Sequence, residues 1–97
     1  MQTIKRVAIV IPAYNEGSKI SQVVKSLQTT LSGQPYTIEV VVVDDGSADN
    51  TSEVARKAGA HVIRHILNSG SGGATATGLS FAQQNDFDRF KDHGQVQ

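Results

Sequence analysis

Ile38-Glu39-Val40-Val41-Val42-Val43-Asp44-Asp45-Gly46-Ser47 sets two adjacent carboxylates directly after an unbroken run of valines. Four consecutive β-branched residues favour an extended strand, and a run without polar alternation suits one covered on both faces of a parallel sheet. A carboxylate pair at the mouth of such a strand pays for desolvation and mutual repulsion, so it needs a donor to engage. A nucleobase N–H, ribose hydroxyls or a metal ion would serve. So would the chain itself, if one aspartate caps the following helix and orders the Gly46-Ser47 turn. Spacing alone leaves both readings open.

Working outward, Val7-Ala8-Ile9-Val10-Ile11 is a second apolar run of the same kind, closed by Pro12 and followed by the polar loop Ala13–Gly17. From Ser18, apolar residues recur at Ile20, Val23, Val24, Leu27 and Leu31, one stripe of a helix that Gly33-Gln34-Pro35 ends. After the aspartates, Asp49 or Thr51 can cap a short helix with Glu53 in its first turn and Gly59 as terminator. Residues 60–67 alternate (Val62, Arg64 and Ile66 against His61, Ile63 and His65), which predicts a strand open on one side. Asn68–Gly73 reads as a glycine-rich turn, and Ala74–Gln84 as a helix with Leu79 and Ala82 facing inward. The order is βαβαβα, which implies right-handed crossovers and a parallel sheet with helices packed against it.

Bulk properties narrow the function. The chain has 97 residues, nine basic and nine acidic, and no cysteine. It makes one small domain, burying about 60–65% of the surface its unfolded form exposes. Balanced charge supplies no field for nucleic acid or anionic lipid. Without cysteine there is no disulfide framework and no thiolate metal site. The longest apolar runs fall far short of the roughly 18 residues of a membrane span, and the start of the chain reads as a strand rather than a signal peptide.

In open parallel sheets ligands bind beyond the carboxyl ends of the strands, and all three strands end there in polar or glycine-rich sequence: Pro12–Gly17, Asp44–Asn50 and Asn68–Gly73. Tyr14 can stack on a base or pack; Glu16 can hold a ligand or cap a helix. Gly70-Ser71-Gly72-Gly73 opening a helix offers backbone N–H groups to a phosphate, or simply a close-packed turn. It is neither a Walker loop nor a dinucleotide fingerprint, since no Lys follows Gly78 and position 75 is Thr. His61 and His65 would lie roughly 13 Å apart on a strand, too far to share a zinc ion.

Taken together, three segments resemble the family-2 glycosyltransferases, nearest the dolichol- or polyprenyl-phosphate mannosyl- and glucosyltransferase group. Val7–Glu16 matches the opening strand and its P-x-Y-N-E loop, Val41–Thr51 matches V-V-D-D-G-S-x-D-x-T, and Asn68–Gly78 matches N-x-G-x-G-x-A-x-x-x-G. The resemblance covers about residues 4–88. It implies the three-layer, Rossmann-like half of a GT-A nucleotide-diphospho-sugar transferase fold in residues 1–88, with 89–97 a divergent or disordered tail. It also implies a UDP- or GDP-sugar pocket lined by Pro12, Tyr14, Glu16, Asp44, Asp45, Asn68, Gly70 and Gly72. In that carry-over Tyr14 lies against the base, Asp45 accepts from it, and Asp44 sits near the ribose or base. Asn68–Gly73 shapes the diphosphate side, with Ser71 where relatives often have Lys.

The complete family member holds Mg²⁺ or Mn²⁺ on a D-x-D after a fourth strand, uses a later Asp as base, and inverts the anomeric centre of the transferred hexose. Here Asp86-Phe87-Asp88 stands before any apolar run, and Lys91-Asp92-His93-Gly94-Gln95 echoes the motif with Lys and His in place of its carboxylates. The expectations are therefore no metal ligand and no catalytic residue in this chain, and nucleotide-sugar binding without transfer by a truncated domain. The alternative is a non-catalytic nucleotide-binding or assembly module. A first strand lacking its fourth-strand neighbour would leave an apolar edge and drive homo-oligomerisation. No nucleic-acid partner is expected. The implied location is cytoplasmic, at a membrane face where the full-length enzyme meets a lipid acceptor.

Overall fold

A computed structural model of the chain describes residues 6–66, 70–85 and 89–92. The elements run β1 (Arg6–Ala13), α1 (Ile20–Thr30), β2 (Thr37–Asp44), α2 (Thr51–Lys57), β3 (His61–Arg64), α3 (Gly70–Gln84) and β4 (Arg89–Asp92). All strand pairs are parallel, in the order β3-β2-β1-β4. The expected βαβαβα order holds, with one strand more.

Strand alternation divides the core into two layers. Val40 and Val42 of β2, with Ile11 and Ala13 of β1, pack against Ile20 and Val24 of α1 and Ala55 of α2. Val41 and Val43, with Ala8 and Val10, turn to the opposite face and meet Ala74 and Ala82 of α3. The result is a three-layer sandwich of α1 and α2, the sheet, and α3. Each fully buried valine or isoleucine contributes about 1.5–3 kcal/mol, and β1 and β2 supply most of them.

Several boundaries differ from the sequence reading. β3 is four residues long, and Ile66 beyond it is fully in solvent. α1 begins at Ile20, two residues later than the apolar stripe suggested. α3 begins at Gly70, so the glycine segment forms the first turn of the helix rather than a separate turn. Leu79, expected inward, is 39% exposed. The reason is the Gly78 contact: a Cβ built there would lie 2.2 Å from Cγ1 of Val10. Helix and strand approach so closely that the small-residue stripe Ala74, Gly78 and Ala82 faces the sheet. Leu79, one residue and about 100° further round, is turned outward.

The fourth strand corrects a further expectation. Val7, Ala8, Ile9 and Val10 pair with Arg89, Phe90, Lys91 and Asp92, so the first-strand edge is covered over that stretch and residues 89–92 are ordered as strand. The oligomer expected from a bare edge loses its physical basis. Asp86-Phe87-Asp88 lies outside the described residues.

The close approach at Gly78 makes a direct test. Gly78→Ala puts a methyl group into Val10 and is expected to cost about 1–3 kcal/mol by overpacking. Gly72→Ala in the same helix meets nothing within 4 Å and is expected to gain about 0.5–1 kcal/mol from helix propensity. Urea midpoints of the two variants should move in opposite directions; equal shifts would remove the packing explanation.

Candidate functional site

Because β2 alternates, its two terminal carboxylates serve different layers. Asp44 continues the phase of Val40 and Val42, toward α2. Asp45 continues the phase of Val41 and Val43, toward α3. Both are buried, at 0% and 2% exposure, and each is met by donors from its own side.

Asp44 Oδ1 accepts from the Ser47 backbone N–H at 2.9 Å. Its Oδ2 accepts from the Ser52 hydroxyl and from Nη1 of Arg64, the latter at 2.8 Å. Arg64 also donates through Nη2 to the Ser47 carbonyl at 2.6 Å. Burial by itself would raise the Asp44 pKa, but the hydrogen bonds from Ser47 and Ser52 and the Arg64 charge outweigh it and hold it below the usual carboxylate value. Asp44 thus orders the Gly46-Ser47 turn and ties it to α2 through Ser52, while the N-cap position of α2 belongs to Asn50.

Asp45 has a different set of partners. Its Oδ1 lies 2.8 Å from Nδ1 of His65, and its Oδ2 accepts from the Gly70 N–H, the first residue of α3, at 2.7 Å. The other ring nitrogen of His65 is 2.7 Å from the Thr77 hydroxyl, two turns along α3. The end of β2, the residue after β3 and the start of α3 therefore meet on one carboxylate.

The loop after β1 is tied to the same edge. Asn15 adopts a left-handed φ of 52°, which asparagine tolerates better than most residues. Its N–H donates to the Ser47 hydroxyl at 2.7 Å, and its Oδ1 accepts from the Ala48 N–H at 2.8 Å. The Glu16 N–H donates to Thr51 Oγ1 at 2.9 Å, and the Gly17 N–H to Asp49 Oδ2 at 3.0 Å. A Cβ at Gly17 would fall 2.1 Å from Asn50 Oδ1, so the loop lies directly on the start of α2. Asp49 also accepts from the Thr51 hydroxyl and N–H, and the Thr51 hydroxyl bond leads the influences that lower its pKa. Asn50 occupies the N-cap position of α2 without a side-chain cap.

Of the residues singled out from sequence, Tyr14 is 38% exposed at this edge. Glu16 is partly buried, and its carbonyl accepts from the Lys19 and Ile20 N–H groups that begin α1. Pro12 is fully buried core. Gly70 and Gly72 lie in the first turn of α3, and Gly72 is exposed. Asn68 lies outside the described residues. Arg64, His65, Ser47, Ser52 and Thr77 were not anticipated. One signal existed: aligning the ends of β2 and β3 brings Asp44 level with Arg64, so His65 follows beside Asp45. His61 goes elsewhere, to Glu39 at 2.9 Å. A shallow depression along the outer face of α1, lined by Ser18, Ser21, Gln22, Lys25 and Ser26 among others, includes neither aspartate.

This donor set does not fit a divalent cation. Asp44 and Asp45 accept from N–H and O–H groups, and Arg64 already lies against one of them. Among the described residues no three carboxylate, histidine or cysteine side chains cluster.

A parallel sheet of this order, with polar loops gathered at its carboxyl edge and a helix N-terminus facing them, defines an α/β domain of the GT-A, Rossmann-like kind. The sequence profile described as glycosyl transferase family 2 matches residues 8–87, and the chain belongs to that family. Similar proteins include an uncharacterized protein of Methanocaldococcus jannaschii, 49% identical over 74 residues, which cover 76% of this chain and 28% of that one. The undecaprenyl-phosphate 4-deoxy-4-formamido-L-arabinose transferase of Yersinia enterocolitica is 38% identical over 88 residues, covering 84% and 26% of the two chains. Among solved structures, a mycobacterial protein superposes with a TM-score of 0.65 at 28% identity, covering 79% of this chain and 27% of that one. The chain thus spans about a quarter of the length of the curated relatives it matches. No helix among the described residues is long and apolar enough to cross a membrane.

The Asp44 environment yields a pH prediction. Its folded pKa is lowered, so its contribution is present above the unfolded value, about pH 4, and is lost as the pH falls through the folded value. Asp44→Asn should cost about 1–3 kcal/mol at neutral pH. It should also flatten the acid fall in stability, which Asp49 and Glu39, shifted the same way, continue to supply in part. Urea unfolding at pH 7, 5, 4 and 3 reads both effects. An unchanged acid slope in the variant would refute the assignment.

Proposed function

We propose that this chain binds the nucleoside diphosphate of a UDP- or GDP-sugar at the carboxyl edge of its sheet, as the donor-binding part of a transferase acting on a polyprenyl-phosphate lipid. The observation that carries the donor site is the convergence on Asp45: one buried carboxylate is held at once by the residue after β3 and the first amide of α3. The β1 loop is laced to the adjoining turn by Asn15 and Glu16. Three segments distant in sequence are thereby held at one rim.

Each part has chemistry suited to such a ligand. The half-exposed Tyr14 ring offers a stacking face for the base. Asp45 is an acceptor for the imide or amino N–H of uracil or guanine, competing there with the Gly70 amide. Glu16, in the loop between β1 and α1, suits a ribose hydroxyl. The first turn of α3 offers the Gly72 N–H and the positive end of the helix dipole to a diphosphate, while the Gly70 N–H is held by Asp45. Asp44, closed off by Ser47, Ser52 and Arg64, acts by holding the turn that carries Asp45. The lipid acceptor is proposed from relatives named as undecaprenyl-phosphate transferases. Family-2 enzymes are associated with Mg²⁺ or Mn²⁺, but Asp44 and Asp45, already met by N–H and O–H donors, do not fit that ion.

Calorimetric titration with UDP, GDP and NAD, with and without Mn²⁺, tests the reading. Saturable binding of UDP or GDP is expected, with NAD at least tenfold weaker. Tyr14→Ala should weaken the nucleotide by about 1–2 kcal/mol of stacking while leaving the urea midpoint nearly unchanged. Absence of nucleoside diphosphate binding by the folded chain would sink the proposal, as would indifference of that binding to Tyr14.

A further inference from the structure

Asp45, His65 and Thr77 form a connected row, carboxylate to imidazole to hydroxyl, with contacts of 2.8 and 2.7 Å. The row links the end of β2, the residue after β3 and the middle of α3. From this geometry we infer that His65 is a positioning residue for base recognition: it clamps Asp45 Oδ1 and so turns Oδ2 toward the ligand side, where the Gly70 N–H now bonds it. The inference rests on the donor-site reading above and assigns within it two residues that reading leaves unused.

An ionised carboxylate only accepts. In neutral His65 the nitrogen facing Asp45 must therefore carry the proton, which leaves Nε2 as an acceptor for the Thr77 hydroxyl. Asp45 thus selects the Nδ1-protonated tautomer, and the Thr77 hydroxyl, able to donate or accept, partners the other nitrogen. The imidazole is largely enclosed, with 19% of its side chain exposed, and Asp45 is more so at 3%. A buried carboxylate held at one oxygen by a ring that is itself held cannot swing about its χ angles, and orientation is what recognition of a planar base edge requires. The backbone enforces the placement, since the His65 N–H donates to the Asp44 carbonyl at 2.8 Å and the Asp45 N–H to the Ala13 carbonyl at 2.8 Å. His65 holds Asp45 and Thr77 directly and acts on the first amide of α3 through Asp45. Its removal should therefore weaken base recognition more than diphosphate binding.

That selectivity separates positioning from mere support of the fold. Wild-type protein and the variants His65→Ala, His65→Asn and Thr77→Val are titrated with UDP, GDP and inorganic pyrophosphate, and their urea midpoints are measured in parallel. His65→Ala is expected to weaken the bound nucleoside diphosphate about tenfold or more, the scale of one charge-assisted hydrogen bond, with pyrophosphate unchanged within about twofold. His65→Asn keeps an N–H near Oδ1 and should recover much of that loss. Thr77→Val, isosteric and safe for the helix, should weaken the nucleotide by a smaller factor. It should also shift the His65 Nε2 ¹⁵N signal, which loses its hydroxyl partner, more than the Nδ1 signal, which Asp45 still holds. If His65→Ala does not fold, the other two variants carry the same comparison. Equal losses for nucleotide and pyrophosphate, or no loss for either in a wild type that binds, would overturn the inference while leaving the donor site standing. A wild type that binds pyrophosphate but neither nucleotide would overturn both.

Discussion

Everything at the carboxyl edge depends on the two-residue period of β2. A strand buried on both faces sends successive side chains into opposite layers, so Asp44 and Asp45, adjacent in sequence, leave the sheet on different sides. Neither reaches bulk solvent, and a buried carboxylate without donors would cost several kcal/mol. Each layer therefore supplies its own donors: Ser47, Ser52 and Arg64 for Asp44, His65 and the first amide of α3 for Asp45. The valines fix the strand, and the aspartates fasten both helical layers to its end.

This arrangement explains why the polar rim is ordered although it is made of loops. The backbone N–H groups of Asn15, Glu16 and Gly17 all donate to side chains of the turn and helix after β2. Asn15, at a left-handed φ, makes one of these contacts and also accepts from the Ala48 N–H through Oδ1. The other end of the sheet is closed by ordinary means: Arg6 bridges Glu39 and the Asn85 carbonyl, and His61 joins Glu39. Those pairs are partly solvated and worth little individually. The asymmetry between a laced rim and a lightly paired base is what a ligand site at the strand ends requires.

The order of the first six elements, the burial of β1 and β2, and the place where polar chemistry gathers are legible in the sequence, because they follow from local periodicity and turn residues. Gly59, with a φ of 103°, ends α2 as its position suggested, and Gly33, with a φ of 83°, lies two residues past the α1 C-cap Leu31. The family motifs likewise lie in contiguous stretches and can be read without coordinates. Tertiary structure alone decided which partners the carboxylates take, since Arg64, His65 and Gly70 reach them across 20 to 25 residues of chain, a distance that local periodicity does not span. It also decided that Leu79 faces out, because the depth of the Gly78–Val10 contact sets the rotation of α3. And it decided that β1 is covered on its second side by β4: pairing between distant strands is a matter of backbone hydrogen bonds, which residues 89–92 form without the apolar pattern that would have announced them.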